Sequence, residues 1–138
     1  MTKVSQIFVN LPVENLNRSV AFFTELGFKF NPDFTDETAT CMIIGENMYA
    51  MLLVRDRFKD FIPTTEISDA QTTTEVLTAL QLESRAAVDE VVAKAVAAGG
   101  EIFRDPEDHG FMYGHAFADP DGHKWELFWM NPEGMPGE

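Results

Sequence analysis

The chain runs through one order of elements twice. Gln6 to Val13 alternates as a strand does, with Ile7, Val9, Leu11 and Val13 on one face and Gln6, Phe8, Asn10 and Pro12 on the other. Asn15 can cap a helix in which Leu16, Val20, Phe23 and Leu26 recur at helical spacing, closed by Gly27. Phe28 to Phe34 reads as a short extended piece interrupted by Pro32. Thr38 to Ile44 and Tyr49 to Val54 read as paired strands joined through Gly45-Glu-Asn47. Then the order returns. Glu75 to Leu82 is a strand, and Ser84 can cap a helix with Val88, Val91, Val92, Ala95 and Val96 on one face, ending at Gly99-Gly100. Glu101 to Arg104 is short and extended, Asp105 to Gly110 is a loop, and a hairpin closes the chain. Val13-Glu-Asn15 matches Leu82-Glu-Ser84, and Gly27-Phe-Lys-Phe30 matches Gly100-Glu-Ile-Phe103, the second spacing being longer by about one helical turn. The reading is a duplicated βαβββ module in an α+β fold, with residues 1–54 and 75–134 as the modules of a single domain.

The closing hairpin, Phe111 to Met130, turns at Asp119-Pro120-Asp121-Gly122. Proline holds φ near −65°, which excludes a two-residue turn that needs φ > 0 at its first central position. A type I turn with Gly122 left-handed is expected, giving a three-residue loop with a bulge. Ala116 then faces Glu126, and Gly114 faces Phe128. One hairpin face carries Met112, Gly114, Ala116, Ala118, Lys124, Glu126, Phe128 and Met130; the other carries Tyr113, His115, Phe117, Trp125, Leu127 and Trp129. The second face is bulkier and should pack on helices. The first sets small residues opposite a carboxylate and leaves room for a ligand.

Residues 55–74 break the pattern: they are polar, contain Pro63, and read as a linker or a lid with a short helical turn around Phe58 and Phe61. The tail, residues 131–138, is expected to be loose. A formal charge of −13 over 138 residues argues against nucleic acid, which needs a basic face. The single cysteine, Cys41, cannot form an internal disulfide and reads as a buried small hydrophobe. No apolar run is long enough for a membrane span, and the N-terminus shows no signal-peptide core, so a cytoplasmic location is expected.

Three stretches carry a resemblance: Leu11-Pro-Val-Glu-Asn-Leu-Asn-Arg-Ser-Val-Ala-Phe-Phe23, Glu25-Leu-Gly-Phe28 and Asp119-Pro-Asp-Gly-His-Lys-Trp-Glu-Leu127. In this order the chain resembles the vicinal-oxygen-chelate superfamily of glyoxalase I, bleomycin-resistance proteins, fosfomycin-resistance enzymes and extradiol dioxygenases. The resemblance implies two tandem βαβββ modules forming a cup-shaped mixed sheet with helices on its convex face, often a homodimer, with a metal or ligand in the cup. The metal-ligand positions of that family fall here on Phe8, Met51, Leu77 and Glu126. One carboxylate among apolar side chains cannot hold a divalent ion tightly. No cofactor is therefore expected, and a metal, if one were present, would use Glu126 with His109 or His115.

Glu126 is the sharpest candidate for chemistry. Lining an apolar cup, it could act as general base or acid; paired with Asn10, Gln81 or a lysine, it would be structural. Phe8, Asn10, Met51, Leu77, Gln81, Met112, Ala116 and Phe128 are the expected ligand-binding residues. His115 should point away from Glu126, and His123 belongs to the turn. The leading expectation is a glyoxalase/bleomycin-resistance-like protein that binds or sequesters a small hydrophobic or flat molecule. The rivals are a metal-dependent lyase, isomerase or dioxygenase resembling lactoylglutathione lyase, and a non-catalytic dimeric interaction module.

Overall fold

In the computed structural model, which describes residues 1–134, the chain divides into two compact units, Met1–Ser68 and a second beginning at Asp69. The first contains β1 (Ile7–Val13), α1 (Leu16–Glu25), β2 (Lys29–Asn31), β3 (Ala39–Gly45), β4 (Met48–Val54) and α2 (Arg55–Asp60). The second contains β5 (Leu77–Gln81), α3 (Arg85–Ala97), β6 (Glu107–Asp108), β7 (Met112–Ala118) and β8 (Lys124–Met130). Each unit forms a four-stranded mixed sheet, ordered β1-β4-β3-β2 and β5-β8-β7-β6. The first strand of each unit pairs in parallel with the last, and the other pairs are antiparallel. The repeat read from the sequence is thus a repeat of topology.

Helix α1 forms because Asn15 stands extended at its N-cap and accepts from the Arg18 amide at 3.0 Å. It buries Phe22 and Phe23 in a core with Leu11, Val13, Met42, Ala50 and Leu52. Helix α3 is capped in the same way by Ser84, which accepts from the Ala87 amide at 3.0 Å. Its buried residues are Val88, Val92 and Ala95, and it packs on β7 and β8 through the face that carries Phe117, Trp125 and Leu127. Val96 was expected on that stripe but is 45% exposed, because at 100° per residue it stands well round the helix from the line of Val88, Val92 and Ala95. The opposite face of each sheet, turned from its helix, is called the open face below.

Three local expectations change. Pro32 does not merely interrupt an extended piece. Asn31 caps a short 3-10 turn, Pro32–Phe34, through the Asp33 amide at 2.9 Å. The Asp105–Gly110 loop contains strand β6, because Arg85 reaches from α3 to Asp108 and holds that segment against β7. Residues 55–74 carry the expected short helical turn as α2, but Asp69 to Thr73, expected as linker or lid, fold back onto the closing hairpin of their own unit: Gln71 donates to the Pro120 carbonyl, and Lys124 donates to the Ala70 carbonyl. Of the tail, Asn131 to Gly134 close a turn anchored to the Phe111 carbonyl, and residues 135–138 lie outside the described residues. No described helix is long and apolar enough to cross a membrane.

Candidate functional site

The hairpin positions the site. Gly122 is left-handed at φ +91, its amide donates to the Asp119 carbonyl, and the Asp119 amide donates to the His123 carbonyl. The pairing is the expected one, with Ala116 opposite Glu126 and Gly114 opposite Phe128. Asp119 locks the turn: its buried carboxylate accepts from the amides of Asp121 and His123 and from the Trp125 indole, each at 3.0 Å. Burial pushes this carboxyl above the ordinary aspartate value, against the opposing pull of His123 and the Trp125 N–H.

On the open face of the second sheet lies a concavity of about 280 Å³, lined by Ala79, Arg104, Glu107, Met112, Gly114, Glu126, Leu127 and Phe128. Gly114 leaves the space, since no side chain projects there opposite Phe128. Glu126 forms an ion pair with Arg104, Nη1 to Oε1 at 2.7 Å, with side chains 35% and 24% exposed for arginine and glutamate. The expected partners of a structural Glu126 were Asn10, Gln81 or a lysine; the partner is an arginine from the segment between α3 and β6. The repeat that matches Gly100 with Gly27 matches Arg104 with Asn31, which pairs with Cys41, which pairs with Met51. Met51 opposes Asn10 as Glu126 opposes Ala79, so Met51 is the counterpart of Glu126 in the first unit.

The other expected residues are placed as follows. Met112 and Phe128 line the concavity with Glu126. Ala116 is fully buried and offers a ligand no surface. Leu77 and Gln81 lie exposed on the same open face, outside the lining. In the first unit, Asn10 and Met51 line a separate depression with Leu53, Phe34, Arg57 and Phe61. Phe8 is 43% exposed and stacked on Tyr49, with ring centroids 4.8 Å apart. His115 faces α3, away from Glu126, and among the described residues its buried Nδ1 has no hydrogen-bond partner. His109 contacts Glu107 at 3.3 Å.

A second polar cluster ties α3 to the sheet. Arg85 donates to both oxygens of Asp108, at 2.8 and 2.9 Å, and to the Gly110 carbonyl, and its guanidinium lies over the rings of Tyr113 and Trp129. The Arg85 hydrogen bonds hold the Asp108 carboxyl down to about 2. The Tyr113 hydroxyl donates to Asp89, which pushes that phenol up to about 12. Neither arginine was singled out by sequence pattern, because a lone arginine in a loop or first helical turn has no distinguishing spacing.

The residues present do not fit a divalent metal. Phe8 and Leu77 are hydrocarbon, Met51 offers a thioether, and Glu126 already neutralises a guanidinium. Among the described residues no three His, Cys, Asp or Glu side chains converge as a metal centre requires.

The profile of the Glyoxalase/Bleomycin resistance protein/Dioxygenase superfamily matches residues 5–127. No curated protein matches the chain. Among solved structures, hypothetical protein SA1046 from S. aureus is 27% identical, with a TM-score of 0.77 over 93% of this chain and 95% of that one. A glyoxalase/bleomycin resistance protein/dioxygenase family enzyme from Burkholderia phytofirmans PsJN is 17% identical, with a TM-score of 0.76 over 89% and 96%. The fosfomycin resistance protein FosX from Listeria monocytogenes is 19% identical, with a TM-score of 0.66 over 96% and 97%. The last two likenesses are likenesses of fold.

Proposed function

The chain belongs to the Glyoxalase/Bleomycin resistance protein/Dioxygenase superfamily, and from that premise we propose that it binds a small organic molecule on the open face of its second sheet, beside Glu126, without a divalent metal. The observation that carries this reading is the concavity itself: Met112, Phe128 and Ala79 supply apolar walls, and the Arg104–Glu126 pair supplies the polar group that orients a guest. A surface that is mostly apolar with a few placed polar groups suits a flat molecule bearing one polar end.

Gly114 gives a direct test. Its backbone does not adopt a left-handed conformation, and a Cβ there would meet its neighbours at 3.6 Å or more. Gly114→Leu should therefore fold and fill the space. Titration of the wild type with 2-naphthol, followed by the probe's fluorescence, should saturate at one site per chain. The Gly114→Leu variant should bind at least ~10-fold more weakly while melting within a few degrees of the wild type, a tenfold loss being about 1.4 kcal/mol. Equal binding by both proteins places the guest elsewhere and ends the proposal.

A further inference from the structure

We infer that the Arg104 guanidinium is the fixed cation of this site, and that with Glu126 it forms a formally neutral donor–acceptor pair selecting an apolar ligand with a neutral amide group over one with a carboxylate. This rests on the reading of the second unit's open face as a ligand site. The two arginines of the second unit make the contrast. Arg85 is spent on structure, with both terminal nitrogens on Asp108, a further bond to the Gly110 carbonyl, and two aromatic rings against its plane. Arg104 lies over the ring of Phe103 and contacts a single carboxylate oxygen through Nη1, and among the described residues its buried Nε has no acceptor. A guanidinium offers five N–H donors in a planar fork, so most of this one's hydrogen-bonding capacity is unused by the described residues. Among the described residues Glu126 engages only through Oε1, which leaves its other oxygen to accept.

Charge decides what such a pair takes. A divalent ion on one carboxylate leaves net positive charge and attracts anionic oxygens. A guanidinium on one carboxylate leaves none. The remaining ionisable group of the lining, Glu107, is a carboxylate beside His109, so nothing there favours a second anion. An amide matches both partners: its carbonyl accepts from Arg104 and its N–H donates to Glu126, while its apolar body lies on Met112 and Phe128.

The test uses three probes with one ring system: 2-naphthamide, 2-naphthoate and 2-naphthylmethylamine, titrated by fluorescence at pH 7 with and without chelator and with added Ni²⁺. The wild type should bind the amide at least ~10-fold more tightly than either charged probe, unchanged by chelator or metal. Arg104→Gln should lose that preference, and Arg104→Lys, which keeps the charge without the fork, should fall between them. Tighter binding of the naphthoate or the amine, or strengthening by Ni²⁺, overturns the inference. So does an unchanged preference in an Arg104→Gln protein that melts like the wild type. If that variant does not fold, the wild-type ranking decides alone. Failure of all three probes to bind the wild type removes the open-face reading itself, a different result from a wrong ranking.

Discussion

Asp119 and Tyr113 show how single side chains hold the second unit together. Asp119 satisfies three donors at once, one of them the indole of Trp125, which is itself only 1% exposed. Truncating it strands a buried indole N–H and two turn amides. Asp119→Ala should therefore destabilise by about 2–4 kcal/mol in a denaturant titration, and Asp119→Asn by less, since its carbonyl still accepts from the turn. Tyr113 makes a pH prediction. Its hydroxyl donates to Asp89, and the phenol is raised from 10.0 to about 12 first by that bond and then by burial. The folded state holds this proton more tightly than the unfolded chain. The stabilisation is thus complete below pH 10.0 and is lost as pH rises through about 12. The tyrosinate absorbance that Tyr113→Phe removes should appear near pH 12, and Asp89→Asn should move it lower.

Among the elements, the closing hairpin was the most legible and the segment before β5 the least. Proline and glycine at fixed places in Asp119-Pro120-Asp121-Gly122 restrict φ so tightly that turn, register and facing residues all followed from local chemistry. Strand β6 was not legible, because two residues cannot display an alternation; it exists through the Arg85–Asp108 contact, which is distant in sequence. The docking of Asp69 to Thr73 was hidden for the same reason. Gly122 bears on that docking. It is left-handed, and a Cβ there would lie 2.9 Å from the Ala70 backbone. Gly122→Ala should cost about 1–3 kcal/mol and should raise the rate of limited proteolysis between residues 69 and 74, because the turn must shift away from the docked segment. The candidate site was half legible: Glu126, Met112 and Phe128 came from strand alternation, whereas Arg104 came from a segment with no periodicity to read.

At the scale of the whole molecule, a formal charge of −13 repels itself, and ordinary salt screens such repulsion over about 10 Å. The melting temperature should rise by a few degrees between 20 and 500 mM NaCl, and a flat or falling profile would show that attractive pairs such as Arg85–Asp108 dominate instead. The duplicated topology has a further consequence. Strands β4 and β8 present one slot each, at matching register, and the chain keeps a thioether in one and a carboxylate in the other. Two castings from one mould have parted company at this slot, so Met51 is where a designer would begin to give the first half the carboxylate that its twin already carries.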